Sequence, residues 1–159
     1  MNIIKTILNE FKDVPDLIIR KIPKRFKTIY VIYLETVSSS DLVNNYILRA
    51  LATHNTKFKN LPEIISAPNL KTITLEEVEY YLCNGFAVIT DNKHIYAFEA
   101  RADLTRGIDA ANVEPSLYGP KDSFVENYQI NIGLIKRRIK SKSLKTKEID
   151  LGRYSETKT

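Results

Sequence analysis

With 159 residues, 43% of them apolar and 27% charged, the chain has the make-up of one ordinary globular domain or two small subdomains, which excludes intrinsic disorder. A single domain of this length buries roughly 70% of its unfolded surface, so a core is available. Cys83 stands alone and His54 and His94 are the only histidines, which excludes an intramolecular disulfide and leaves a Cys/His zinc site short of ligands; no metal or cofactor is expected, and the net charge is +5.

At the N-terminus Ile3, Ile4, Ile7, Leu8 and Phe11 follow a helical rhythm with Lys5, Asn9, Glu10 and Lys12 between them. The spacing predicts an amphipathic helix docked on the protein's own core, without the unbroken apolar run of a secretion signal. No stretch approaches the ~18 apolar residues that would cross a bilayer. Residues 27–37, KTIYVIYLETV, are aromatic and β-branched and predict a strand buried on both faces. Ser38 to Ser40 then offer N-caps for a helix carrying Leu42, Val43, Tyr46, Ile47 and Ala50 on one stripe. Residues 54–71, with Pro62 and Pro68, read as a loop.

Thr74-Leu75-Glu76-Glu77 is a capping box that predicts a helix from Leu75, with Val78, Tyr81 and Leu82 as its apolar face and Asn84-Gly85 as its stop. FAVIT and IYAFEA flank Asp91-Asn92-Lys93 as a tight hairpin. The sum is a small layered α/β structure. A subdomain boundary is expected near Arg101 to Asp109, in a turn-rich polar stretch. After Gly119-Pro120 comes a second capping box, Ser123-Phe124-Val125-Glu126, and Phe124, Tyr128, Ile132, Ile135 and Ile139 share one helical face. Lys136, Arg137, Arg138 and Lys140 crowd the last turn, where they offset the helix dipole. The final residues, KTKEIDLGRYSETKT, read as one more short strand and a turn.

Candidates for chemistry are few. Glu76, Glu77 and Glu79 near one helix start suit dipole compensation, Ser38-Ser39-Ser40 suits a helix entry, and Cys83 at a helix C-terminus suits a structural thiol. No glycine-rich phosphate loop exists, and no enzymatic activity is expected. The basic run Lys136, Arg137, Arg138, Lys140, Lys142, Lys145, Lys147 admits three readings: a solvated helix end, a nucleic-acid surface, or a contact with a protein or an anionic membrane. The modest net charge and the absence of Trp weigh against nucleic acid.

Four separated segments then carry a family resemblance. Asp16 to Arg20, DLIIR, resembles an early Asp-Leu-aliphatic-aliphatic-Arg element, IYLETV resembles a first strand and its following helix, and LCNGFAVITDN resembles a helix end, Gly and apolar strand. Arg106-Gly107-Ile108, Glu114, Gly119-Pro120-Lys121-Asp122-Ser123-Phe124-Val125-Glu126, Asn131 and LIKRRI resemble the hallmark Gly-Pro block. Together, over nearly the whole chain, they resemble the N-terminal soluble region of the A subunits of bacterial spore germinant receptors, the GerA (GerABKA) family with its SpoVAF-type members. Asn92 stands where the hairpin usually has Gly, Ala111 where Pro is common, Tyr118 where Arg is frequent, and Lys136 in place of Arg.

The resemblance implies two small α/β subdomains with an N-terminal amphipathic helix, residues 1–104 forming the first and 105–159 the opening, incomplete part of the second. It implies a signalling and assembly domain acting in nutrient-triggered germination, with receptor B and C subunits and other A subunits as partners. The full-length protein would sit at the spore inner membrane through later transmembrane spans, this domain facing the cytoplasm or spore core. Gly119 and Pro120 would fix a chain reversal and Phe124 with the Ile stripe would anchor the following helix. Arg106, Glu114, Glu126, Asn131, Arg137 and Arg138 complete the structural and interface candidates. The alternative is a free-standing basic module for nucleic acid or an acidic surface.

Overall fold

The computed structural model describes residues 2–25, 27–54, 61–65, 67, 69–104, 124–125, 127–147, 149–151 and 157–158. The opening stripe forms helix α1 (Ile3–Glu10), which buries Ile4 and Ile7, with Phe11 buried just beyond it. Burying side chains of this kind contributes roughly 1.5–3 kcal/mol each. Strand β1 (Leu17–Pro23), which the apolar patterning did not announce, pairs antiparallel with β2 (Thr28–Leu34), the expected doubly buried strand. Pro23, which lacks an N–H, is tolerated because β1 is an edge strand.

Ser39 caps the next helix by accepting the Leu42 N–H. It runs as α2 (Ser40–Leu42), a π-helical stretch Val43–Leu48, and α3 (Arg49–Thr53), with Val43, Ile47 and Leu51 buried. Lys24, in the β1–β2 turn, donates to the carbonyls of Leu51 and His54 and so closes the C-terminal end of α3. The stretch read as a loop does more than connect. A 3-10 turn at Leu61–Glu63 brings Leu61, Ile64 and Ile65 into the core, and β3 (Lys71–Ile73) adds an edge strand.

Helix α4 (Val78–Cys83) starts three residues after the expected Leu75. Glu77 does reach back to the Thr74 N–H at 2.8 Å, but the Thr74 hydroxyl donates to the same carboxylate at 3.0 Å, so one half of the box forms. Gly85 ends the helix at φ +80°. Strands β4 (Phe86–Thr90) and β5 (Ile95–Glu99) make the expected hairpin, with Asn92 at φ +68° supplying the left-handed turn residue.

The five strands order as β1-β2-β4-β5-β3, every neighbour antiparallel. Alternation sorts the side chains into two cores. Ile32, Leu34, Phe86, Val88, Ile95 and Ala97 face α1 and α4, while Ile29, Val31, Tyr33, Ala87, Ile89, Tyr96 and Phe98 face the π-helical segment and the Leu61–Ile65 turn. An antiparallel sheet covered on both faces explains why β2 reads as a continuous apolar run.

Helix α5 (Tyr128–Arg138) corrects the C-terminal expectation. It begins at Tyr128, four residues after Phe124, behind the N-cap Asn127, whose side chain accepts from the N–H groups of Gln129 and Ile130. Asn131 clamps Val125 by accepting its N–H at 2.8 Å and donating to its carbonyl at 2.7 Å, which holds that residue out of the helix. The buried face is Gly133, Leu134 and Lys136, not the expected Ile stripe. Phe124 is 66% exposed and Ile139 52% exposed, so neither anchors α5. The terminal expectation of one strand and a turn becomes a pair of short antiparallel strands, β6 (Asp150–Leu151) and β7 (Thr157–Lys158).

Candidate functional site at the α5 junction

Several of the clearest polar contacts between distant parts of the chain lie where α5 and the residues after it meet the sheet body. Gly133 permits the approach: a Cβ there would lie far inside van der Waals contact of the Thr36 carbonyl oxygen and 2.9 Å from a Leu104 methyl. One turn on, the buried Lys136 ammonium donates to Asp16 Oδ1, and Asp16 Oδ2 accepts from the Thr36 hydroxyl. This ion pair joins residues 120 positions apart, which is why sequence spacing could not pair them.

Beyond α5 the basic run continues to be used internally. Lys142 Nζ lies 3.1 Å from both Glu10 Oε2 and Glu79 Oε2, and its backbone N–H donates to Glu79 Oε1 at 3.2 Å. The hydrogen bond to Glu10, then that to Glu79, raises the Lys142 pKa. Lys145 pairs with Asp13 at 2.7 Å, and its hydrogen bond lowers the Asp13 pKa. Arg137 donates from Nη2 to the Ala102 carbonyl at 2.9 Å. The basic run is therefore more than a solvated helix end.

A cleft of about 230 Å³ opens beside these contacts, lined by Val37, Cys83, Asn84, Arg101, Arg137 and Lys140. The chain before α2 and the chain after β5 are tied together there by Ser39 N–H to the Ala100 carbonyl at 2.6 Å and Ala102 N–H to the Val37 carbonyl at 2.9 Å. Arg101 rests over the Phe86 ring at 5.3 Å and meets Glu99 at 3.3 Å. Burial, then the Glu79 charge, pushes the Cys83 thiol up to about 11. Such a thiol stays protonated and makes no nucleophile near neutral pH. Among the described residues no cluster of His, Cys, Asp and Glu could hold a metal ion.

Of the residues expected to matter, Arg106, Glu114, Gly119, Pro120 and Glu126 lie outside the described residues. Asn131 and Arg137 are found at this junction, the first shaping the entry to α5 and the second tying its end to Ala102. Arg138 is exposed at the end of α5, and Phe124 is exposed ahead of it. Sequence reasoning missed Asp16, Thr36 and Gly133 as junction residues. Asp16 and Lys136 each stand inside a segment that carries the family resemblance, and that coincidence was the available signal.

The model of the family described as Bacillus/Clostridium GerA spore germination protein matches residues 5–159. The chain belongs to the GerA spore germination family. Similar members include spore germination protein GerQA of Bacillus cereus, 22% identical over 97% of this chain and 32% of its own length. Spore germination protein XA of Bacillus anthracis is 28% identical over 82% of the chain and 29% of its own length. Stage V sporulation protein AF of Bacillus subtilis is 25% identical over 89% of the chain and 31% of its own length. The chain thus spans about a third of the length of these curated relatives. Its fold is that of the N-terminal domain of the A subunit of the Bacillus megaterium spore germinant receptor GerK3, with a TM-score of 0.67 at 18% identity over 98% of this chain and 60% of that one. Within this GerA family chain, the Asp16–Lys136 ion pair joins the first and the last of the four segments that carry the resemblance. No described helix is long and apolar enough to cross a membrane.

Proposed function

We propose that this chain is the N-terminal signalling and assembly domain of a spore germination receptor A subunit, a non-enzymatic module acting in nutrient-triggered germination. The carrying observation is the family match from residue 5 to residue 159. The remainder of the A subunit would hold the domain at the spore inner membrane, and B and C subunits would be its partners. Residues 105–159 would open a second subdomain, with α5 as the element packed on the first. The site chemistry agrees with a mechanical role: the junction is made of ion pairs and close packing, and its buried thiol is held protonated.

Phe124 gives the test. A phenylalanine 66% exposed just ahead of α5 contributes little to the stability of this chain and is available to a neighbour, in the same subunit or another. Phe124→Ala should leave the unfolding midpoint of the 159-residue chain unchanged. In spores carrying the full-length protein it should lower nutrient-triggered loss of optical density or the co-purification of receptor subunits. Wild-type germination together with wild-type co-purification would remove this interface from the proposal.

The nucleic-acid alternative is not favoured. Lys136, Lys142 and Lys145 are paired with carboxylates of the same chain, which removes much of the charge that would meet phosphates.

A further inference from the structure

We infer that the cleft between the ends of β5, α4 and α5 is a binding site for a small oxyanion, a carboxylate or phosphate group, that bridges α5 to the sheet body. Its lining holds three cationic side chains, Arg101, Arg137 and Lys140, and no carboxylate. They come from both sides of the junction: Arg101 follows β5, while Arg137 and Lys140 belong to the end of α5 and the residues just after it.

Neighbouring lysines are neutralised in place, Lys136 by Asp16 and Lys142 by Glu10 and Glu79. The cleft cations are less fully paired. Lys140 makes no ion pair among the described residues, Arg137 gives one N–H to a neutral carbonyl, and Arg101 meets one exposed carboxylate, Glu99, through Nε alone. A guanidinium carries five N–H donors, so each arginine retains donors for a planar oxyanion.

The two arginines are also held before any ligand arrives. The Phe86 ring supports the plane of Arg101, and the Ala102 carbonyl ties Arg137. The adjoining helix ends do not consume these cations. Asn84 donates its side-chain amide to the Tyr80 carbonyl at 2.6 Å, and the Ile139 N–H donates to the Ile135 carbonyl at 2.8 Å. At about 230 Å³ the cleft is below the usual range for drug-sized ligands and suits a group of a few heavy atoms. Bidentate arginine contacts favour carboxylate and phosphate over a spherical halide. A ligand touching both sides would strengthen the docking of α5, so occupancy and the closed junction reinforce one another. This inference rests on the cleft alone and is independent of the receptor assignment.

The test is titration of the 159-residue chain with inorganic phosphate and with malonate, at an ionic strength kept constant with sodium chloride, following heat release and unfolding midpoint. A parallel arm measures co-sedimentation with phosphatidylglycerol vesicles against phosphatidylcholine vesicles. Saturable binding of either soluble anion assigns a free small ligand, and binding confined to the anionic vesicles assigns a lipid headgroup. Lys140→Gln and Arg101→Gln should each weaken binding at least about tenfold, whereas Lys147→Gln, a basic-run residue outside the lining, should not. Lys140→Gln decides the matter if Arg101→Gln unfolds, because Lys140 supports no described contact. Absence of saturation in every arm, or an equal loss in Lys147→Gln, would overturn the site.

Discussion

Asn92 shows how one residue can carry two local demands. Its backbone occupies the left-handed conformation that the β4–β5 turn needs, and its side-chain carbonyl accepts the Ile4 N–H at 3.1 Å, one of the unsatisfied donors at the start of α1. Glycine would meet only the first demand. Asn92→Gly should therefore cost about 0.5–1 kcal/mol, and Asn92→Ala, which adds backbone strain to the lost cap, about 2 kcal/mol, both read from urea unfolding midpoints. A Gly variant as costly as the Ala variant would show that the cap dominates. Cys83 is the second case. With its thiol pushed up to about 11, roughly one molecule in a thousand is thiolate at pH 8, against about a quarter for an ordinary exposed cysteine. Iodoacetamide should label the native chain at least about a hundredfold more slowly than the chain in denaturant, and similar rates would contradict the burial described.

At the scale of elements, α5 starts later than its capping-box pattern predicts because two helix-start signals compete within five residues. Ser123-Phe124-Val125-Glu126 has the right letters, but Asn127 accepts two N–H groups and Asn131 fastens Val125 outside the helix. Side-chain geometry settled what a four-letter pattern could not. The placement of α5 then depends on Gly133. In a helix exposed to water, Gly→Ala gains about 1 kcal/mol of propensity. Here the added methyl meets a backbone carbonyl, which cannot move aside as a flexible side chain can, and overpacking costs about 1–3 kcal/mol. The clash should win, so Gly133→Ala should lower the urea midpoint and expose tryptic sites in the Arg137–Lys142 stretch. A rise in stability would mean that α5 does not lie against Thr36 and Leu104 as described.

At the scale of the whole molecule, the Asp16–Lys136 pair closes the chain on itself, with Thr36 as third partner. Two charges withdrawn from water contribute little net stability as a pair, but one left alone is costly. Asp16→Ala should destabilise the chain by about 3–5 kcal/mol, and Asp16→Leu combined with Lys136→Met should recover most of that loss, measured in the same denaturation series. Equal losses in the single and double variants would show that the pair is not coupled. The ties of Lys142 to Glu10 and Glu79, and of Lys145 to Asp13, are more exposed and should weaken with added salt while the Asp16–Lys136 contact persists.

The sequence by itself determined the amphipathic α1, the doubly buried β2, the Gly85 helix stop and the β4–β5 hairpin, because each rests on a period or a turn residue acting within a few positions. Four separated segments also sufficed to point to the family. Tertiary structure alone decided the rest. Strand β1 and the buried Leu61–Ile65 turn have weak local signals and are defined by what they pack against. The buried face of α5 was chosen by a carbonyl, a carboxylate and a leucine far away in the chain, and hydrophobic period says nothing about a lysine that is buried because its counter-charge is.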